Sequence, residues 1–134
     1  MVNTTYPAGA GIGPVLDSGC LAELRALDPG GRAQLVKRVL ATYQTTLVRH
    51  VEQLREARGD AAWDSVLRVA HTLKSSSASI GALALASLCA DIERLLRGGD
   101  RDTVTTFLDR FEAEVARVEV AVRDELAACE AIGS

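Results

Sequence analysis

The fold is decided by residues 61–81, which read AAWDSVLRVAHTLKSSSASIG. Small and apolar residues recur there at three- and four-residue steps, the spacing of one face of an α-helix. The residues of this inward stripe are Trp63, Val66, Ala70, Leu73, Ser77 and Ile80. The pattern predicts a helix over 61–80 with one buried face, and Gly81 is expected to end it.

Stripes of the same period occur on both sides of this stretch. They predict a short helix over 17–27 and longer helices over 32–58, 83–97 and 101–128. The predicted inward residues of the helix over 83–97 are Leu85, Leu88, Ile92 and Leu95. Short loops make successive helices antiparallel, so their apolar stripes can be pooled in one core. The expected fold is all-α, an up-and-down antiparallel four-helix bundle with a short additional N-terminal helix.

Glycines mark the predicted helix ends. Gly59 is the expected stop of the second helix, with Asp60 as the N-cap of the third. The run Gly98–Asp100 repeats this stop-and-cap arrangement before the last helix. Residues 1–14 are rich in glycine and hold two of the three prolines. We therefore expect a flexible segment or linker over 1–14 and the bundle domain over 15–134.

The composition suits closely packed helices. Of the 134 residues, 48% are apolar and only 4% aromatic, so Ala, Leu and Val must supply most of the core. The net charge of −3 is weak and negative, which argues against nucleic acid as a partner. Residues 64–101 carry five basic and four acidic residues, whereas residues 102–134 carry three and eight. An anionic group is therefore better tolerated in the middle of the chain than at its end.

The cysteines and the hydropathy pattern indicate the cellular compartment of the protein. Cys20, Cys89 and Cys129 are odd in number and far apart, which argues against a disulfide framework or a thiolate metal site. We interpret each as a small buried apolar residue. No apolar run approaches the roughly 18 residues that span a membrane, and the start does not resemble a signal peptide. The sequence favours a cytoplasmic protein without direct membrane contact, or the cytoplasmic piece of a longer, membrane-bound protein. Because an up-and-down bundle closes its own core, we expect a monomer.

The two histidines differ in their place on the predicted helices. Helical geometry puts His71 about 130° from the centre of the inward stripe, on the polar side of its helix. His50 lies only about 50° from the centre of its own stripe and is expected at the border of the core. Residues at i+3, i+4 and i+7 share the face of His71. These are Lys74, Ser75 and Ala78.

This setting suits a phosphoryl group. A neutral imidazole is a nucleophile, and small neighbours leave it approachable. Lys74 would offset the negative charge of a phosphoryl group, and nearby hydroxyls would donate hydrogen bonds to it. Three consecutive serines from Ser75 to Ser77 are poor helix formers, which suggests that something requires small residues there. Close packing between helices would explain Ser77 but not Ser75. From geometry alone, an ordinary solvent-facing histidine beside a lysine remains an open alternative.

The run over residues 70–82, AHTLKSSSASIGA, resembles the signature of histidine-containing phosphotransfer (HPt) domains. The resemblance continues through LCADIE at 88–93 and RGGD at 97–100, and the helix order fits over most of residues 17–129. Such domains are four-helix bundles that carry phosphoryl groups in two-component phosphorelays, alone or at the C-terminus of bacterial hybrid sensor kinases. The resemblance implies that His71 is the phosphorylated residue. It also implies that the partners are receiver domains of response regulators or hybrid sensor kinases.

The resemblance assigns roles to other residues as well. Lys74 matches the lysine that helps to hold the phosphoryl group, Ser77 the small hydroxyl residue facing the core, and Gly81 the helix-ending glycine. Ser75 departs from the glycine that the family often has after the lysine, yet it is small and adds a hydroxyl. Glu93 falls where some members place a polar residue that touches the active histidine. It would orient the ring or pair with Lys74, and the alternative is an ordinary solvated glutamate.

By the same resemblance, the domain is a phosphoryl carrier without catalytic machinery of its own, alone or as part of a hybrid histidine kinase. The receiver would supply the phospho-aspartate and a bound Mg²⁺, so no cofactor and no metal are expected on this chain. For docking, helical geometry offers Leu67 as an apolar contact and Arg68 at the rim. A helical interaction or scaffold bundle that is never phosphorylated is the alternative from a different class.

Overall fold

The computed structural model describes residues 14–31 and 34–133. The predicted linker over 1–14 lies outside the described residues except for Pro14, and so does Arg32, the predicted start of the second helix. Within the described residues a short 3-10 turn over Pro29–Gly31 follows the first helix. The five α-helices are α1 (Ser18–Ala26), α2 (Leu35–Gly59), α3 (Trp63–Ser79), α4 (Leu83–Arg97) and α5 (Arg101–Gly133).

Helices α2 to α5 form a closed bundle. α2 packs against α3, α3 against α4, α4 against α5, and α5 back against α2. Helices that follow one another in the chain are therefore antiparallel neighbours, and α3 lies diagonally from α5. The short α1 packs against α2 at one end of the bundle. This confirms the all-α bundle with an additional N-terminal helix.

The core consists mainly of leucine and valine side chains. Its largest fully buried side chains are Phe111, Leu40, Leu47, Leu54, Leu73, Ile80, Leu85, Ile92, Leu108, Val66, Val104 and Val115. Phe111 is the one aromatic residue in this set, as the composition predicts. Cys89 is also buried, whereas Cys20 and Cys129 are half-buried. The prediction of a buried cysteine is therefore confirmed for Cys89 alone.

The end of α2 differs from the prediction. Gly59 is its last helical residue, and the left-handed residue that reverses the chain is Ala61, with φ 54°. The Ala62 N–H donates to the Ala57 carbonyl at 2.8 Å, which extends the helix-ending turn beyond Gly59. Asp60 lies inside this turn, so its predicted role as N-cap of α3 is wrong, and α3 begins without a side-chain cap.

The ends of α3 and α4 follow the prediction. Gly81 and Gly99 have φ of 86° and 78° and supply the left-handed residue in each case. The Asp100 carboxylate accepts a hydrogen bond from the Thr103 N–H at 2.9 Å, which confirms it as the cap of α5. Glycine therefore supplies the left-handed residue at these two turns, in contrast to Ala61 after α2.

The buried face of α4 is rotated towards α3 relative to the prediction. Leu85 and Ile92 are buried as expected, but Leu88 and Leu95 are only half-buried. The buried face is completed instead by Ala86, Cys89 and Glu93. Ala86 and Cys89 have small side chains, which let α3 and α4 approach closely. The larger Leu88 and Leu95 therefore lie at the edge of the core.

A buried hydrogen bond ties α2 to α3. The hydroxyl oxygens of Tyr43 and Ser77 lie 2.8 Å apart in the core. Burial raises the pKa of Tyr43 to about 12, so the phenol keeps its proton and can donate it to the serine oxygen. Because a buried hydroxyl without a partner is costly, the pair fixes the position of α2 along α3. Ser77 faces the core, as predicted.

Gly81 also fixes α1. The Asp17 N–H donates to the Gly81 carbonyl at 2.8 Å. A Cβ at position 81 would lie 2.8 Å from that nitrogen and 3.1 Å from the Cys20 Cβ. Only glycine combines this close approach with a positive φ. The loop between α3 and α4 therefore holds α1 against the end of the bundle.

We expect Gly81→Ala to lower the free energy of unfolding by about 2–4 kcal/mol, since it adds a steric clash to the conformational cost. The matched control is Gly99→Ala, where a Cβ would meet nothing within 4 Å. It should cost only about 1 kcal/mol, from its positive φ alone. Urea unfolding followed by circular dichroism measures both. If both variants lost the same free energy of unfolding, the close approach of α1 to Gly81 would contribute nothing to stability.

Candidate functional site

His71 lies in the middle of α3 with its side chain 60% exposed, so the imidazole is open to another protein. His50 on α2 is different. It is half-buried, and its Nδ1 atom is buried without a hydrogen-bond partner among the described residues. Burial lowers the pKa of His50, which favours its neutral form. The predicted contrast between an open and a border histidine is confirmed.

Glu93 on α4 lies at the centre of a charged cluster. Its side chain is only 9% exposed. Its Oε1 atom accepts a hydrogen bond from Lys74 Nζ at 2.7 Å. Its Oε2 atom lies 2.9 Å from His71 Nδ1 and 2.7 Å from Arg97 Nη2. Glu93 is therefore not a solvated glutamate, and we refer to these four side chains as the Glu93 cluster.

Helical spacing on two antiparallel helices brings the cluster together. His71 and Lys74 are one turn apart on α3, and Glu93 and Arg97 are one turn apart on α4. Among the described helices, α3 and α4 make the most extensive contact. The cluster spans the edge of this contact, so the position of the imidazole depends on how the two helices pack.

The neighbouring cations keep Glu93 ionised. Hydrogen bonds from Lys74 and then Arg97, with a smaller effect from His71, hold the pKa of Glu93 at about 2. Burial acts in the opposite direction and is outweighed. The carboxylate is therefore charged at neutral pH and can only accept hydrogen bonds.

The charge on Glu93 determines the tautomer of His71. Because the carboxylate can only accept, the contact of 2.9 Å places a proton on Nδ1. In the neutral ring the lone pair is then on Nε2, on the side of the imidazole away from Glu93. The Nε2 lone pair therefore belongs to an exposed ring whose orientation is fixed by the hydrogen bond of its other nitrogen to Glu93.

The other residues predicted for the site surround this cluster. Arg68, Ser75 and Ala78 are exposed, and Leu67 is half-buried. All four lie on α3 and form the open surface beside the imidazole. Ser77 and Gly81 lie apart from that surface, in the core and at the end of the helix. Of the residues predicted for the site, the structure therefore places Lys74 and Glu93 in the cluster with His71. The others lie outside the cluster.

Arg97 is the member of the cluster that sequence reasoning missed. It lies four residues after Glu93, a spacing at which opposite charges pair on a helix. That signal was present in the sequence. The spacing indicates a role for Arg97 in the site only when Glu93 is known to be buried beside His71. The helical pattern of α4 did not show that burial.

Cys89 lies close enough to the cluster for the charges of Lys74 and Glu93 to act on its thiol. Burial raises the pKa of Cys89 to about 12, so the thiol stays protonated and unreactive. In the part of the chain that the structure describes, no three or more His, Cys, Asp or Glu side chains are grouped so as to hold a metal ion. None of the described helices is long and apolar enough to cross a membrane.

Comparison with known proteins agrees with the fold and the motif. A family model described as "Hpt domain" matches residues 38–121, well over half of the chain. The chain therefore belongs to the Hpt domain family. Its structure is similar to the crystal structure of histidine-containing phosphotransfer protein B (HptB) from Pseudomonas aeruginosa PAO1. The TM-score is 0.75 at 23% sequence identity, over 86% of this chain and 96% of that one. No curated protein matches the sequence significantly.

Membership in this family defines the function in general terms. Hpt domains are phosphoryl carriers that interact with receiver domains, and histidine phosphotransfer in a phosphorelay is the function of this chain. Neither the family nor the fold supports the alternative of a scaffold bundle that is never phosphorylated.

The ionised Glu93 should stabilise the fold in a pH-dependent way. Its folded pKa of about 2 is below its ordinary value of 4.5, so this stabilisation is present above pH 4.5 and is lost as the pH falls towards 2. At pH 7 we expect Glu93→Gln to lower the free energy of unfolding by about 1–2 kcal/mol, since water partly screens Lys74 and Arg97. The difference from the wild type should shrink between pH 4.5 and 2.

Urea unfolding at a series of pH values measures this difference. The control is Glu112→Gln, which removes an ion pair whose Arg55 partner is 57% exposed. It should cost less than about 1 kcal/mol at pH 7. A loss for Glu93→Gln that stays constant down to pH 2 would contradict the ionised, cation-bound state.

Proposed function

We propose that His71 accepts a phosphoryl group from an aspartyl phosphate on one receiver domain and passes it to an aspartate on another. The observation that carries this assignment is the hydrogen bond of 2.9 Å between His71 Nδ1 and the Glu93 carboxylate. It orients the ring and leaves the exposed Nε2 atom with the lone pair. Family membership indicates that the reaction is phosphoryl transfer. The geometry supports His71 as the reacting residue and Nε2 as the reacting atom.

The transfer is an in-line displacement at phosphorus. The Nε2 lone pair forms the N–P bond as the bond between phosphorus and the aspartyl oxygen breaks, and the aspartate leaves as a carboxylate with that electron pair. The proton stays on Nδ1, so the product ring carries a positive charge next to Glu93. In the onward step the ring nitrogen is the leaving group, and an aspartate of the next receiver attacks. Glu93 acts as a positioning residue for both steps.

Lys74 and Ser75 are the candidates to stabilise the phosphoryl group. Lys74 lies one turn after His71 on α3 and is 37% exposed, so its ammonium group is next to the reacting ring. The Ser75 side chain is exposed on the same face and can donate from its hydroxyl. Ala78 adds no bulk above the imidazole and leaves room for the attacking partner.

The chain acts as a carrier in this proposal, and its partner supplies the catalysis. The receiver domain brings the aspartyl phosphate and a Mg²⁺ ion that neutralises the charge on the phosphoryl oxygens. This chain contributes an oriented nucleophile and positive charge, without a cofactor of its own. In this proposal the chain is located in the cytoplasm together with its receiver partners. It is either a separate protein or part of a hybrid histidine kinase.

We further propose that the receiver docks on the surface around His71. Leu67 and Ala78 supply apolar contact on α3, and Arg68 lies at the exposed rim. An interface of this kind is modest in size and transient, as a relay requires. The chain works as a monomer in this proposal, because the bundle closes its own core and leaves this surface available.

We expect His71→Gln to abolish phosphorylation of the chain, because an amide cannot replace the imidazole as nucleophile. His50→Gln is the control and should be labelled like the wild type. Receiver domains phosphorylated by a small phosphodonor in the presence of Mg²⁺ are mixed with each variant, and transferred phosphate is followed by gel shift. Equal labelling of His71→Gln and the wild type would overturn the assignment. Failure of the wild type against a panel of receivers would favour the scaffold alternative.

Charge reversal at Arg68 tests the docking surface. We expect Arg68→Glu to slow transfer by about threefold to tenfold at low salt, because a rim charge acts mainly on the association rate. Arg123→Glu, on α5 diagonally across the bundle, is the matched control and should leave the rate unchanged. Single-turnover transfer at two ionic strengths measures the effect, which should diminish in high salt. Equal rates for the two reversals would place the docking surface elsewhere.

A further inference from the structure

Glu93 is bound by two cations rather than one. Lys74 binds Oε1 at 2.7 Å from α3, the helix that also carries His71. Arg97 binds Oε2 through two nitrogens, at 2.7 and 3.3 Å, from the same helix as Glu93. Because the guanidinium and the carboxylate are on one helix, the Arg97–Glu93 pair does not depend on the position of α3.

Phosphorylation changes what these cations must neutralise. Before transfer, the Glu93 cluster contains one carboxylate, two cations and a neutral ring, a net charge of +1. Transfer adds a phosphoryl group of about −2 and leaves the ring positive, so the cluster becomes neutral overall. Two cations are then shared between two anions, the Glu93 carboxylate and the phosphoryl group. A cation that binds the phosphoryl oxygens gives up part of its interaction with Glu93.

We propose that the two cations divide their tasks when His71 is phosphorylated. Lys74 turns to the phosphoryl group, and Arg97 remains on Glu93 and keeps this buried carboxylate ionised and aimed at Nδ1. This inference rests on the proposed function of His71. It makes Arg97 a positioning residue that acts through Glu93 and matters most in the phosphorylated state.

The side chains are suited to this division. Lys74 carries a single mobile ammonium group on the helix of His71, so it can change partner by rotation of its own side chain. Arg97 holds Oε2 with two N–H groups of a planar guanidinium, a geometry that is lost if it turns away. A carboxylate as buried as Glu93 is costly without a cation, so one of the two must stay.

The test is Arg97→Gln, with Arg94→Gln as matched control. Arg94 is also on α4 and also ion-paired, to Asp91 at 3.1 Å, but among the described residues its side chain forms no ion pair with Glu93. Two quantities are measured for each variant. One is the equilibrium constant of phosphoryl exchange with a phosphorylated receiver domain. The other is the ¹⁵N spectrum of the unphosphorylated imidazole, which reports whether the proton is on Nδ1.

In Arg97→Gln the unphosphorylated ring should keep its proton on Nδ1, because Lys74 still binds Glu93. The exchange equilibrium should shift towards the phosphorylated receiver by about threefold to tenfold, because Lys74 must now serve two anions. Arg97→Lys keeps the charge but not the two-nitrogen contact and should restore part of the equilibrium, whereas Arg94→Gln should match the wild type in both measurements.

Two results would overturn the inference. One is an exchange equilibrium in Arg97→Gln equal to that of Arg94→Gln, which would mean that Arg97 does nothing for the phosphorylated state. The other is loss of the Nδ1 proton already in the unphosphorylated ring, which would mean that Arg97 holds Glu93 throughout. Failure of the proposed function is distinguishable from both, since the wild type itself would then take up no phosphate on His71.

Discussion

The carboxylate of Glu93 is nearly buried between two helices, and this places strict demands on its neighbours. A buried negative charge is stable only when cations and hydrogen-bond donors surround it closely. Lys74 has to come from α3, Arg97 from α4, and the imidazole of His71 completes the set. The position of the His71 imidazole is therefore a consequence of how the hydrogen bonds and charge of a single carboxylate are satisfied.

The rest of the fold keeps α3 and α4 in the relation that this arrangement needs. The hydrogen bond between Tyr43 and Ser77 fixes α3 against α2 beneath the site. Gly81 ends α3 with a tight turn and anchors α1, so the end of the helix is held as well. In the proposed transfer, an imidazole on a helix that is fixed in this way would need little reorganisation.

Much of this was predictable from the sequence, and the exceptions share a physical cause. The helices, the open position of His71 and the buried Ser77 all follow from periodicity within one helix. The burial of Glu93 was harder to predict, because Glu93 lies at the edge of the apolar stripe of α4. Periodicity does not show which edge of a stripe faces a neighbouring helix. On α4 the edge with the small residues Ala86 and Cys89 is buried together with Glu93. Arg97 was missed for the same reason, since its importance follows from the burial of Glu93.

The distribution of charge over the bundle is consistent with a site for an anion on α3. α5 holds eight of the 18 acidic residues, more than any other helix. Several of its carboxylates are bound by basic side chains of α2. Arg55 binds Glu112 at 2.7 Å, and Arg58 binds Asp109 at 3.0 Å. Because α5 lies diagonally from α3, this acid is on the far side of the bundle from His71. Beyond about 10 Å, salt screens such charges in water, so they weaken the local positive potential of the Glu93 cluster only slightly. The bundle can therefore be acidic as a whole and still present a cationic surface beside His71.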